Sequence, residues 1–170
     1  MTNDEHLYRR GVGVMLLNSD GKVWVGRRID NPTDAWQMPQ GGMDEGEEPW
    51  ASALREIEEE TGIASEHIEV IAESPERLRY ELPEELLGKL WGGRWRGQLQ
   101  NWFLCRFLGE DSDVNIVTEH PEFDAWKWVE PAALPDLIVP FKRDMYRHLL
   151  KVFGDFLKSS PMGGGGSAPR

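Results

Sequence analysis

The chain has 170 residues, enough for one ordinary domain with a single core. Its 39% hydrophobic content and eight Trp argue against disorder, and 30 acids against 19 bases, a formal net charge of −11, argue against broad nonspecific nucleic-acid binding, which needs a positive surface. No apolar run approaches the ~20 residues of a membrane span, and MTNDEHLYRR places acids where a signal peptide needs bases, so a soluble cytoplasmic protein is expected.

GVGVMLL (11–17) and KVWVGRR (22–28) are β-rich and flank the turn NSDG, so they read as a hairpin. DNPTDAWQMPQGG (30–42), with two prolines and a Gly pair, reads as a structured loop. Pro49 suits a first helical position and Gly62 a C-terminal cap, which predicts a helix over about 49–61. IEVIAES (68–74) and RLRYEL (77–82) read as strands, and a longer strand starts near Gly97. DAWKWVEP (124–131) ends in a short strand, 131–137 forms a short helical turn, and a last helix runs from about Phe141 to Leu157. Mixed strands and helices with hairpins predict an α/β or α+β sandwich around a mixed sheet. The folded domain is expected over 1–158, and the Gly/Ser/Pro-rich stretch 159–170 as a disordered extension or linker remnant. The single cysteine, Cys105, lies in an apolar run and reads as a buried hydrophobe in a reducing compartment.

The predicted helix carries the strongest chemical signal. At ~100° per residue, Glu56, Glu59 and Glu60 share one arc through i, i+3 and i+4 spacing. Trp50, Ala53, Leu54 and Ile57 form the core stripe, which the three glutamates border, while Glu58 and Ala51 point away. Like charges at that spacing repel, and a hard divalent cation such as Mg²⁺, which takes oxygen ligands, would relieve them. On spacing alone a solvated helix face is the competing reading. Gly41, Gly42 and Gly46 let the preceding loop fold tightly against the helix start, and Arg55 is placed to pair with Glu47; Glu48 is a poor N-cap. The arginines come in pairs (9 and 10, 27 and 28, 77 and 79, 94 and 96), which folding could gather round the acids to hold metal and polyanion together.

Residues 41–63 match G-x5-E-x7-R-E-U-x-E-E-x-G-U (U aliphatic) at every defined position: Gly41, Glu47, Arg55, Glu56, Ile57, Glu59, Glu60, Gly62 and Ile63. This stretch resembles the Nudix box. The resemblance implies a Nudix α/β/α sandwich and a Mg²⁺-dependent hydrolase of nucleoside diphosphate-linked compounds, with Glu56, Glu59 and Glu60 as metal ligands. Mn²⁺ or another divalent ion would substitute. It also implies that Glu47 and Arg55 form a structural ion pair.

Flanking segments, among them Tyr8-Arg9, Arg27-Arg28, Trp36 to Gln40, Leu78-Arg79-Tyr80, Pro121 to Asp124 and Phe141-Lys142-Arg143, resemble one Nudix subgroup. This is the subgroup of RNA pyrophosphohydrolases and dinucleoside polyphosphate hydrolases. The resemblance implies that Glu122 is a further carboxylate at the metals, as ligand or general base. It implies that Arg28, Val139 and Phe141 form a base pocket, and that Arg9, Gln40, Tyr80 and Lys142 are candidate phosphate contacts. Read alone, Val139 and Phe141 are core residues, and Tyr80 packs within a strand. Asn101 departs from the subgroup, where a Lys is expected, and would remove a cation near the polyphosphate.

The expected chemistry is in-line attack of water on phosphorus, with Glu56 or Glu122 accepting its proton. It would yield 5′-monophosphorylated RNA and pyrophosphate, starting mRNA decay, or two mononucleotides from diadenosine tetraphosphate. Neither a membrane partner nor sequence-specific DNA is expected, and the chain is expected to act as a monomer. A non-catalytic nucleotide-binding sensor is the reading from a different class; such a protein typically lacks a ligand glutamate, and none is missing here.

Overall fold

A computed structural model describes residues 4–30 and 34–158. The predicted tail at 159–170 lies outside the described residues, as do residues 31–33 of the predicted 30–42 loop.

The sheet is built around two long strands, β1 (Tyr8–Leu17) and β7 (Gly97–Phe107). They pair in parallel along their length, from Tyr8 opposite Gly97 to Leu17 opposite Arg106. β1 is buried without interruption from Gly11 to Leu17. Such a run, apolar at every position, is what a strand covered on both faces requires. Side chains alternate accordingly. Val12, Val14 and Leu16 point into a core with Ala53 and Ile57 of α1 (Pro49–Thr61). Met15 and Leu17 point into a second core with Leu134 of α2 (Leu134–Leu137) and Met145, Tyr146 and Leu149 of α3 (Arg143–Val152). Helices therefore cover both faces of a mixed sheet, the α/β/α sandwich that the resemblance implies.

The predicted hairpin is only partly formed. β1 meets β2 (Val23–Arg28) at a single position, Leu17 opposite Val23. The reason lies in the 30–42 segment, which is more than a loop: it contains β3 (Trp36–Gln37) and β4 (Gln40–Gly42). β4 takes the edge of β1 at Gly11, Val12 and Gly13, so β2 splays away and pairs instead with β3 and with β8 (Phe123–Val129). At the other edge, β5 (Ile68–Glu73) and β6 (Leu78–Glu81) share β7 between them. The last helix also differs from expectation. Pro140–Lys142 form a tight turn before α3, and a break at Phe153 separates α3 from α4 (Gly154–Lys158). Phe153 has φ −99° and ψ 12°, and Gly154, which costs entropy inside a helix, follows it. Among the described residues, no helix is long and apolar enough to cross a membrane.

Candidate active site

Helix α1 starts at Pro49 without a side-chain cap from Glu48. It ends at Gly62, whose φ of 74° is left-handed and whose N–H donates to the Glu58 carbonyl. A Cβ at Gly62 would also lie 2.5 Å from the Asn115 carbonyl, so glycine is required there twice over. With both ends fixed, the helix faces fall as the spacing predicts: Ala53 and Ile57 are buried, and Glu58 is exposed. Glu59 is largely exposed, at 58% of its side chain, whereas Glu60 is buried.

β4 lies beside this acidic edge. A Cβ on Gly41 would stand 2.2–2.4 Å from the Glu56 carboxylate, so the missing side chain is what admits Glu56. The Gln40 N–H donates to Glu60 Oε1 at 3.3 Å. Gln40 is itself held by a buried amide chain: Trp102 Nε1 donates to Gln100 Oε1 (2.9 Å), and Gln100 Nε2 donates to Gln40 Oε1 (2.8 Å) and Gln98 Oε1 (2.6 Å).

Arg55 sits behind the cluster. Its Nε and Nη2 donate to the two Glu47 carboxylate oxygens at 2.8 and 2.9 Å, and Nη2 also donates to the Gly42 carbonyl at 3.0 Å. Its Nη1 reaches Glu56 at 3.1 Å and Glu59 at 3.3 Å. The guanidinium holds the Glu47 carboxyl down at about 2, and Glu47 in turn raises Arg55. The loop and the helix are thus tied by a bidentate charge-assisted pair. Glu47, Arg55 and Gly62 shape the site from outside the cleft.

The cleft is about 650 Å³. Its lining has an acidic wall of Glu56, Glu59, Glu60 and Glu122 and a basic and aromatic wall of Arg9, Arg28, Tyr80, Val139, Phe141 and Lys142, with Gln40 and Gly41 also in the lining; the two walls meet where Arg28 reaches Glu122 at 3.3 Å. Burial, and then the neighbouring Glu56 and Glu122 charges, hold the Glu60 carboxyl well above its ordinary range. Burial raises Glu56 as well. Two desolvated carboxylates beside a third are a donor set that fits a hard divalent cation. As they are placed, no three acidic, His or Cys side chains among the described residues stand close enough to close a metal site; Glu56 and Glu59 rest on Arg55.

On the other wall, Arg28 makes a two-pronged pair with Asp30 (2.8 and 2.7 Å) and reaches Glu122 Oε1 at 3.3 Å. Asp30 was not singled out from the sequence, although an acid two residues from an arginine at a strand end is a readable signal. Tyr80 is nearly buried and lies 5.7 Å from the Phe141 ring, with Lys142 Nζ 4.8 Å above it. Tyr80 therefore forms a wall, with its face in use. Burial, then the Arg28 charge, lower the Lys142 ammonium to about 8. Val139 and Phe141 pack on the core, as read from the residues alone, and also line the cleft.

Two expectations change. Asn101 does not line the cleft. It lies one position off the Gln98–Gln100–Trp102 face of β7, on the α1 side, where it accepts from Arg10 Nη2 at 3.3 Å. The arginine pairs are not gathered round the acids: alternation splits 9 from 10 and 27 from 28, and 77 and 79 both lie off the cleft. Arg9 and Arg28 face the cleft, while Arg27 pairs with Asp34 and Asp124, Arg77 with Glu5 and Arg79 with Asp4. Sequence reading also missed the 83–96 segment, which brings Leu86, Leu90 and Trp91 to the cleft; its Gly-Gly pair after a Trp was the available signal. Cys105 is fully buried, with its thiol pushed up to about 12 by that burial.

Comparison with known proteins agrees with this geometry. An RNA pyrophosphohydrolase from Novosphingobium aromaticivorans is 59% identical over 152 residues, 88% of this chain and 94% of that protein. One from Sphingopyxis alaskensis is 55% identical over 152 residues, 89% of this chain and 96% of that protein. The crystal structure of a C. elegans Ap4A hydrolase binary complex superposes with a TM-score of 0.66 over 89% of this chain and 98% of that chain, at 23% identity, and so shares the fold. The NUDIX domain model matches residues 7–149, and on that match, with the two relatives spanning nearly their whole length, the chain belongs to the Nudix family.

Proposed function

We propose that the chain is a Mg²⁺-dependent phosphoanhydride hydrolase that removes pyrophosphate from the 5′ end of triphosphorylated RNA, acting in the cytoplasm as a monomer at the start of mRNA decay. One observation carries the reading: a single cleft sets Glu56, Glu59, Glu60 and Glu122 against Arg9, Arg28 and Lys142. Carboxylates suit a cation, and the facing cations suit a phosphate chain. The relatives named RNA pyrophosphohydrolase support the choice of substrate.

In this reading Glu56, Glu59, Glu60 and Glu122 hold the metal. When bound, the divalent ion neutralises charge on the phosphate oxygens and makes water a better nucleophile. The chain supplies the rest. Glu56 or Glu122 takes the proton of the attacking water. Arg9, Gln40, Tyr80 and Lys142 meet the phosphate chain. Arg28, Val139 and Phe141 form the pocket for a base, worth ~1–3 kcal/mol where an aromatic or guanidinium face stacks on it. The Arg55–Glu47 pair keeps the loop against the helix.

The second reading is hydrolysis of a dinucleoside polyphosphate, which presents the same base, ribose and phosphate chain. A side-by-side assay with Mg²⁺ decides, offering 5′-triphosphorylated RNA and diadenosine tetraphosphate and comparing rates and products. The expected result is faster turnover of the RNA, with release of pyrophosphate. A large preference for the dinucleotide would favour the second reading. Glu59→Gln is expected to lower turnover by more than the ~10–100-fold that loss of a mere supporting group costs; a non-catalytic sensor would show no turnover to lose.

A further inference from the structure

Arg9 differs from the other cleft arginine. Arg28 is committed to Asp30 and Glu122, whereas among the described residues Arg9 makes no salt bridge to an acid. It is half-buried on β1 and is held by shape. On one side lies the Gly42 backbone, so close that a Cβ there would stand 2.3 Å from the guanidinium. On the other side lies Trp91, whose ring centroid is 5.4 Å from Arg9 Cζ. Gly42 is the neighbour of Gly41, against which Glu56 rests. The guanidinium is therefore placed beside the carboxylate wall with its hydrogen-bond donors uncommitted to an acid.

Trp91 reaches this position at a backbone cost. Among the described residues it is the only non-glycine with positive φ, at 53°. A bulky residue persists in the left-handed region only where its surroundings determine it. Gly92 and Gly93 follow it, also at positive φ, and Leu86 and Leu90 of the same segment line the cleft with it. The segment between β6 and β7 thus turns sharply to lay an indole on an arginine.

We propose that Trp91 is a positioning residue for substrate binding: it fixes the Arg9 guanidinium against Gly42, so that Arg9 meets the phosphate chain beside the carboxylates. This rests on the hydrolase reading above and extends it to a residue outside the Nudix box. A cation held on an aromatic face keeps its in-plane donors free for a phosphate. Without the indole the charge remains but its place is lost, so the effect belongs to KM more than to kcat.

The experiment measures kcat and KM on whichever substrate the wild type hydrolyses, for Trp91→Ala, Trp91→Phe, Arg9→Ala and the double variant. Calorimetric affinity for inorganic tripolyphosphate is measured in parallel. Trp91→Ala is expected to raise KM by about 2- to 30-fold, the range of a cation–π contact, with kcat little changed. Trp91→Phe retains most of the wild-type KM, and Trp91→Ala adds little in the Arg9→Ala background. A Trp91→Ala penalty that persists undiminished without Arg9, or unchanged tripolyphosphate affinity, overturns the proposal. Should Trp91→Ala fail to fold, Trp91→Leu decides. It keeps an apolar side chain and loses the aromatic face, so reduced tripolyphosphate affinity supports positioning and wild-type affinity refutes it. If the wild type hydrolyses neither substrate, the hydrolase reading fails by itself, and the tripolyphosphate arm still tests Trp91.

Discussion

Glu47, just before α1, and Glu60, near its end, meet opposite environments. Glu47 accepts both prongs of Arg55 and is held down at about 2, whereas burial and the Glu56 charge push Glu60 up. For Glu47 the folded chain releases its proton more readily than the unfolded chain, whose carboxyl stays near 4.5. Its stabilising contribution is therefore complete above about 4.5 and is lost as pH falls toward about 2. Glu47→Gln should flatten that part of the stability curve. Thermal midpoints of both proteins between pH 7 and the acid range check this: the gap between them should be widest near neutrality and should close in acid. A constant gap would mean that Glu47 stabilises by packing and not by charge.

At the scale of elements, β4 and α1 act as one piece. Gly41 carries no side chain because the Glu56 carboxylate occupies that space. The obstacle to a Cβ is the far end of a flexible side chain, so Gly41→Ala should cost little stability, within about 1 kcal/mol, while displacing Glu56. The expected outcome is a folded protein with strongly reduced turnover, checked by denaturant unfolding alongside the substrate assay. Helix α1 was legible in the sequence because its signals are local: Pro49, Gly62 and the spacing of Glu56, Glu59 and Glu60. β4 was not legible. Gln-Gly-Gly has no strand propensity, and it pairs only because β1 offers an open edge over Gly11–Gly13. The full hairpin failed for the same reason, since a local turn says nothing about which distant segment claims the edge. Arg9 and Glu122 needed a resemblance to be picked out, because the fold brings them together from opposite ends of the chain. Trp91 needed the structure itself.

Across the whole molecule, the cost of the site is concentrated in one place. Glu56, Glu60 and Glu122 repel one another at the rim of an otherwise well-packed sandwich. A divalent cation bound among them would relieve both repulsion and desolvation. At a free metal concentration a hundredfold above Kd, binding adds ~2.7 kcal/mol of stability, or roughly 5–10 °C of thermal midpoint for a chain of this size. Mg²⁺ is expected to raise the midpoint and a chelator to reverse it, and Glu59→Gln should shrink the shift. An equal shift in the variant would place the metal elsewhere.

The division of the cleft between its two walls has an evolutionary consequence. The acids of α1, with the glycines and the Arg55 anchor that set them, come from one unbroken stretch, residues 40–62. The basic and aromatic wall is assembled from Arg9 on β1, Arg28 on β2, Tyr80 on β6 and the Val139–Lys142 turn. Three of the four acids are thus inherited as a block, with Glu122 joining them from a distant segment, while recognition is drawn from several separate parts of the chain. Single substitutions on the second wall can therefore redirect the protein toward a different leaving group or base and leave the first wall untouched.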